Sequence, residues 1–229
     1  MKTTAVIPAH NESMNITDVV SGCKKYVDSV IVVDDGSKDN TATLAEKAGA
    51  TVVKHLQNGG YGRALTYGIK NAMELGADVI ITIDGDGQHN PAEIPKFLKA
   101  FELFNTDIVS GSRFLGNFIA SQTHRRLGIK LLTMLPYLLC GLHMSDIQCG
   151  FRAYKRRVFE EINPTDFGMG FSVEVPIRAK GKGFTFIEVP VAVKYNKEVK
   201  LSGSFKHGSS VLYAIMKHWW DTFILQKYG

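Results

Sequence analysis

The sequence predicts an α/β domain built on a mostly parallel, doubly wound sheet with helices on both faces, and three observations predict it. Short β-branched runs alternate with helix-like segments through the first half of the chain. Those runs are apolar almost without interruption, as strands buried on both faces of a sheet are. Acidic or glycine-containing turns follow three of them, at the strand ends where open α/β sheets carry their ligands.

In chain order, strands are expected at Thr3–Ile7, Ser29–Val33, Ala50–Lys54 and Val79–Ile83, each bounded by turn residues. Helices are expected between them, near residues 14–26, 41–48 and 60–75. Asn90-Pro91-Ala92-Glu93 then supplies an N-cap, a proline at the first helical position and a glutamate placed for a capping box. That helix is expected to turn Ile94, Phe97, Leu98 and Phe101 inward, and Asp107–Ser110 reads as a further strand. The second half is less regular. An apolar helix is expected over residues 122–142, opening on His124-Arg125-Arg126, and paired short strands over 184–195 around Pro190. Residues 196–208 read as a basic loop and 210–225 as an amphipathic helix. In that helix Val211, Ile215, Trp219 and Phe223 run beside Leu212, Met216, Trp220 and Ile224, with Lys217, His218 and Asp221 off the apolar face. The expected organisation is one domain over residues 1–208 followed by this helix, within 209–229.

The 229 residues, 45% of them hydrophobic and 21% charged, suit one globular domain with a real core. A formal net charge of +5 favours anionic partners, phosphates or an acidic membrane surface, without calling for nucleic acid. Cys23, Cys140 and Cys149 are odd in number and form no C-x-x-C pair, which excludes a disulfide framework or structural zinc site and fits reduced thiols in the cytoplasm. No signal peptide is expected before the first strand. The most apolar segment, Leu131–Leu142, carries Thr133 and Pro136 and falls short of the roughly 18 residues that a membrane span requires.

The chemistry gathers at three strand ends. In Asp84-Gly85-Asp86-Gly87-Gln88 two carboxylates two residues apart face the same side of an extended backbone. Like charges that close need something positive between them; magnesium or manganese fits, with Gln88 as a further neutral oxygen. An Asp-Gly turn is the structural alternative. Asp34-Asp35-Gly36-Ser37 ends the second strand in the same way, and carboxylates so placed read sugar hydroxyls, the alternative being a turn and helix cap. Pro8-Ala9-His10-Asn11-Glu12 brings another carboxylate to the same edge, so the three argue for one shared site. Asn58-Gly59-Gly60-Tyr61-Gly62-Arg63 reads as a structural turn rather than a phosphate cradle, since G-x-x-x-x-G-K-[ST] is absent. No G-x-S-x-G or H-E-x-x-H occurs, which excludes the commonest hydrolases and zinc proteases. His10, His55 and His207 are scattered and read as ordinary side chains.

Together with Gly111-Ser112-Arg113-Phe114 and Cys149-Gly150-Phe151-Arg152-Ala153, these motifs occur in an order and spacing that resembles the family-two glycosyltransferases of the GT-A fold, specifically the dolichol-phosphate mannose synthase-like branch, over residues 3–208. Enzymes of that branch move a hexose from a nucleotide-sugar to a polyprenyl phosphate. The resemblance implies a GT-A, Rossmann-like sheet in which Pro8, His10, Glu12, Val33 and Asp35 hold the donor's base and ribose. Asp84 and Gly85 would continue that site, while Asp86 and Gln88 bind Mg2+ or Mn2+. Arg113 would reach phosphate, making Asp86 and Arg113 the catalytic pair, and Lys200 and Lys206 would close on the pyrophosphate. Two positions depart from the family pattern: His10 stands where tyrosine is usual, and Lys200 replaces an arginine and loses its planar fork. Many members also carry C-terminal membrane spans that this sequence lacks.

A sugar hydroxyl is a weak nucleophile and needs a carboxylate base. The Glu-Asp pair and Gln-x-x-Arg-Trp motif found in related hydroxyl-acting enzymes are absent, and Glu160-Glu161 sits mid-helix. A lipid phosphate is already anionic and needs cations instead, for which Arg113, Arg125, Arg126 and Lys130 are candidates. The expected reaction is one inverting displacement, with the metal stabilising the departing nucleoside diphosphate. The expected partners are a GDP- or UDP-sugar carrying mannose, glucose or N-acetylglucosamine, a dolichyl or other polyprenyl phosphate, and a membrane surface or membrane-protein partner. The expected location is the cytoplasmic face of a membrane, with residues 196–208 as a lid over the donor. Two further readings stay open: transfer to a sugar or protein hydroxyl, and a catalytically silent glycosyltransferase-like subunit that docks a membrane partner.

Overall fold

The computed structural model describes residues 1–116, 123–194 and 201–226. Seven strands form one sheet in the order β3-β2-β1-β4-β6-β5-β7. The first four are β1 (Thr3–Ala9), β2 (Ser29–Asp34), β3 (Thr51–Lys54) and β4 (Val79–Thr82), all parallel, joined by α1 (Ile16–Cys23), α2 (Thr41–Lys47) and α3 (Tyr61–Glu74). All these elements lie where the alternating pattern puts them. The pairings Pro8↔Val33 and Val6↔Thr82 bring the ends of β1, β2 and β4 to one level. That register creates the edge on which the acidic turns meet.

The strands are buried on both faces, which explains their unbroken apolar runs. Ala5, Ile7, Val30, Val32 and Ile81 pack with α1 and with α4 (Ile94–Leu103), while Val6, Ile31, Val33 and Ile80 pack against α3 and α7 (Phe171–Gly181). At Gly68 a Cβ would stand 2.4 Å from Val6 Cγ1, so α3 lies on the sheet at a distance only glycine permits. Ile94, Phe97 and Phe101 of α4 are buried and Leu98 half-buried, as expected. Asn90 caps the preceding 3-10 turn, Pro91–Glu93, by accepting the Ala92 N–H at 3.0 Å. The capping box is not made: the Glu93 carboxylate instead accepts the Ala192 N–H at 3.2 Å and Lys96 Nζ at 2.7 Å. A long-range backbone donor has replaced the local one.

The rest departs further from the sequence pattern. β5 (Ile108–Ser112) is present, but β6 (Arg152–Lys155) inserts antiparallel between β4 and β5. The expected strand pair over 184–195 is one strand, β7 (Phe186–Pro190), parallel to β5, followed by an isolated bridge between Val193 and His89. Besides α5 (Thr123–Cys140) and the short α6 (Arg157–Glu161), a third apolar cluster joins Leu142, Met144 and Ile147 to Val173 and Ile177 of α7 and to Val211 and Ile215 of α8 (Leu201–Trp219). α8 begins well before the expected residue 210, so 201–208, read from sequence as part of a loop, is helical. A π-turn over Trp220–Ile224 ends it. His218 and Asp221, placed on the polar side by periodicity, are buried.

Candidate active site

A cleft of about 350 Å³ opens at the common edge of β1, β2 and β4. The structure brings Pro8, His10, Glu12, Asp35, Asp84, Gly85 and Asp86 together in its walls, as the strand-end argument requires. The turns that present them are tied to one another. His10 Nδ1 lies 2.9 Å from the Asp35 carbonyl, and the Asn11 N–H donates to Ser37 Oγ at 2.9 Å. Gly36, at φ 74°, lets the second turn pass so close to the 57–58 backbone that a Cβ would lie 2.7 Å from the Asn58 nitrogen.

Asp35 is buried and well supplied with donors. The Gly59 N–H reaches its oxygens at 2.9 and 3.0 Å, the Gly60 N–H at 2.8 Å and His55 Nδ1 at 2.7 Å. Burial pushes its pKa up, but the Gly59 amide, His55 and the Gly60 amide together hold it below the usual carboxylate range. The amides of the glycine turn are therefore committed to a protein carboxylate. The turn is structural, yet it is built around a residue that lines the cleft.

Asp84, Asp86 and Glu12 behave differently. Burial raises all three, opposed by hydrogen bonds from Tyr61, the Gln88 amide and Asn15 respectively, and repulsion from Asp84 raises Asp86 and Glu12 further. Asp84 accepts from Tyr61 Oη at 2.9 Å; Asp86 Oδ1 accepts the Gln88 N–H at 3.0 Å. The edge thus concentrates negative charge that the fold does not neutralise in full. Among the described residues no group of three or more His, Cys, Asp or Glu is arranged to hold a metal by itself. Two carboxylates with room left for phosphate oxygens match the way Mg2+ and Mn2+ are usually held, so the donor set fits a divalent cation.

The Glycosyl transferase family 2 model matches residues 4–163, most of the chain. The chain belongs to that family. A UDP-N-acetylglucosamine–dolichyl-phosphate N-acetylglucosaminyltransferase of Methanococcus voltae is 31% identical over 84% of this chain and 85% of its own length. A polyprenol monophosphomannose synthase of Mycolicibacterium smegmatis is 31% identical over 94% and 85%. Among solved structures, glucosyl-3-phosphoglycerate synthase of Mycobacterium tuberculosis, crystallised with Mn2+, UDP and phosphoglyceric acid, superposes with a TM-score of 0.79 at 20% identity, over 95% of this chain and 78% of that one. The fold is the GT-A class expected, and the protein is a glycosyltransferase of family 2.

Other expected family positions fall elsewhere. The Val33 side chain is wholly buried in the core against α3, outside the cleft lining. Arg113 is directed to Asp146, with Nε at 2.6 Å and Nη2 at 2.7 Å from the two carboxylate oxygens, and both residues are buried. A bidentate pair of this kind fixes the guanidinium plane. Gln88 is half-buried beyond the cleft lining, its carbonyl accepting the Lys194 N–H at 2.9 Å. Lys130 is exposed on α5, 5.8 Å from the Phe114 ring centre. Lys200 lies outside the described residues, as do the side chains of Arg125, Arg126 and Lys206.

Sequence reasoning missed Tyr61, Asn58 and Met169, which also line the cleft, and Asp146. Tyr61 and Asn58 sit inside the glycine motif, whose pattern signals a turn at this strand edge. Met169 and Asp146 carry no local signal, because folding alone brings them to strand ends far away in sequence.

Proposed function

We propose that this protein transfers a hexose from a GDP- or UDP-sugar to a dolichyl or other polyprenyl phosphate at a membrane surface. The observation that carries the reading is the half-buried Asp84–Asp86 pair, in which the charge of Asp84 repels that of Asp86, in the lining of the strand-end cleft. Pro8, His10, Glu12 and Asp35 would receive the base and ribose, with Asp84 and Gly85 beneath the ribose and pyrophosphate. Asp86 and Gln88 would hold Mg2+ or Mn2+, which supplies charge to stabilise the departing nucleoside diphosphate. Arg113, anchored by Asp146, adds fixed positive charge beside the site, and Lys200 and Lys206 would complete the pyrophosphate grip.

The acceptor phosphate needs no base. One of its oxygens attacks the anomeric carbon while the bond to the nucleotide oxygen breaks, inverting the centre in one step. Lys130, with Arg113, Arg125 and Arg126, would hold that phosphate. Beside Lys130 lies a groove of about 530 Å³ whose walls include Thr133, Met134, Tyr137 and Met144, suited to the first isoprene units. Among the described residues no helix is long and apolar enough to cross a membrane. Apolar side chains are nevertheless exposed along α5 (Leu131, Met134, Leu138) and at the chain's end (Leu212, Met216, Trp220). Such stripes, with a tryptophan at the edge, suit the headgroup boundary.

The test is transfer of labelled sugar from GDP-mannose, UDP-glucose and UDP-N-acetylglucosamine to a short polyprenyl phosphate with Mn2+. One donor should support transfer, and Asp86→Ala and Asp86→Asn should both abolish it while circular dichroism stays unchanged. No transfer from any of these donors, or full activity in Asp86→Ala, overturns the reading.

A further inference from the structure

Tyr61 opens α3 directly after Gly60, whose φ of 99° belongs to the left-handed region that glycine tolerates. Two backbone N–H groups hold it there: that of Gly60 donates to the Asp35 carboxylate at 2.8 Å and that of Arg63 to the Phe167 carbonyl at 3.1 Å. Its hydroxyl donates to Asp84 Oδ1 at 2.9 Å, and among the described residues it is the one hydrogen-bond partner of that carboxylate. Tyr61 is half-buried, and desolvation of its hydroxyl, followed by the charge of Asp84, raises its pKa well above the ordinary value.

A second feature is built around the same contact. Gly150, just before β6, faces the pair, and a Cβ there would lie 2.6 Å from Tyr61 Oη and 3.0 Å from each Asp84 oxygen. The Gly150 carbonyl accepts from Thr82 Oγ1 at 2.7 Å, which holds that backbone against the end of β4. The hydroxyl thus sits between a fixed helix start and a fixed strand approach, with no room for a side chain.

We infer that Tyr61 is a positioning residue for the acidic pair, engaging Asp84 through Oδ1 so that Oδ2 is left for the cation and the donor. Asp84 then acts in a set orientation rather than as a free carboxylate. Asp35 belongs to the same device, since its bond to Gly60 fixes the residue that carries Tyr61. The ribose side and the cation side of the cleft are joined by one run of hydrogen bonds, from His55 through Asp35 and Gly60 to Tyr61 and Asp84.

The inference rests on the reading that Asp86 and Gln88 hold a divalent cation, to which it adds Asp84 Oδ2 as a supporting oxygen, and the experiment separates the two. Mn2+ binding is titrated by electron paramagnetic resonance, with and without UDP or GDP, for the wild type, Tyr61→Phe, Gly150→Ala and Asp86→Ala. Wild type should bind and Asp86→Ala should not. Tyr61→Phe should weaken Mn2+ binding by about tenfold or more, the usual effect of removing a group that orients a metal ligand. Its transfer rate should recover at saturating Mn2+, which a general structural lesion would not allow. Gly150→Ala should shift Mn2+ affinity in the same direction; if it fails to fold, Tyr61→Phe decides. Wild-type binding with Tyr61→Phe within twofold of it overturns the positioning role and leaves the cation site standing. No Mn2+ binding by the wild type overturns both.

Discussion

Asp35 and Asp84 are both carboxylates at strand ends, yet their surroundings push them in opposite directions. Asp35, despite its burial, is held below the ordinary range by two backbone amides and a histidine, whereas burial raises Asp84, whose one hydrogen-bond donor among the described residues is the Tyr61 hydroxyl. A carboxylate whose charge the protein already satisfies is part of the scaffold as well as the site. Asp35→Asn sets an amide nitrogen among the Gly59 and Gly60 N–H groups, and should cost about 1–3 kcal/mol in ligand-free unfolding. Asp86→Asn removes a repelling charge and should leave ligand-free stability unchanged or higher; urea unfolding of both variants checks the contrast. Asp107 supplies the pH counterpart. Burial raises it, but the Thr185 amide at 3.0 Å, Arg157 Nε at 2.7 Å and the Thr185 hydroxyl lower it overall. A depressed native pKa contributes stability that is present above the unfolded carboxylate pKa and lost as pH falls through the native one. Asp107→Asn should therefore melt lower at pH 7, and the gap from wild type should close as the pH is taken below the carboxylate range.

The last helix shows what periodicity can and cannot say about an element. Its spacing marks one broad apolar face, but packing on α5 and α7 divides that face in two. Val211 and Ile215 are buried, while Leu212, Met216 and Trp220 remain 42–50% exposed. Trp219 lies between the two rows, its indole N–H donating to the Leu139 carbonyl at 3.0 Å. Ile215→Ala should cost about 2–5 kcal/mol, as truncation of a fully buried isoleucine does, and lower the melting temperature accordingly. Trp220→Ala should melt as wild type does, because half of that ring is already in water, yet lose affinity for anionic vesicles in flotation. Equal flotation of Trp220→Ala and wild type would assign the exposed row to something other than a membrane.

At the scale of the whole molecule, a sheet covered on both faces leaves its strand edge as the place to put chemistry, and three parallel strands end there in register. The charge gathered at that edge makes the unliganded protein less stable than it is with the charge neutralised. A donor nucleotide with Mn2+ at about 100 times its dissociation constant should raise unfolding stability by about 2.7 kcal/mol. Differential scanning fluorimetry across GDP- and UDP-sugars then reads the preferred base directly. The nucleotide producing the larger shift should be the one whose sugar is transferred.

The alternation of apolar runs and helical spacing was enough to place β1 to β5 and the helices among them within a few residues, because burial on both faces leaves an unmistakable record in composition. The acidic turns at three strand ends were legible for a related reason, since a parallel sheet sends consecutive strand ends to one edge. Where partners are distant, the sequence was silent. Nothing near Glu93 says that its carboxylate will serve the Ala192 amide instead of a capping box. Nothing in Gly111–Phe114 says that Arg113 will meet Asp146. β6 escaped notice because an antiparallel insertion has no signature of its own in so short a run, and α8 was cut short because glycine and serine lowered its local propensity while tertiary packing extended it. Local pattern determined the frame and the edge where chemistry sits. Which carboxylates are already satisfied, which tyrosine orients them and which half of an apolar face meets water were decided by contacts between segments remote in sequence, and only the folded chain brings those together.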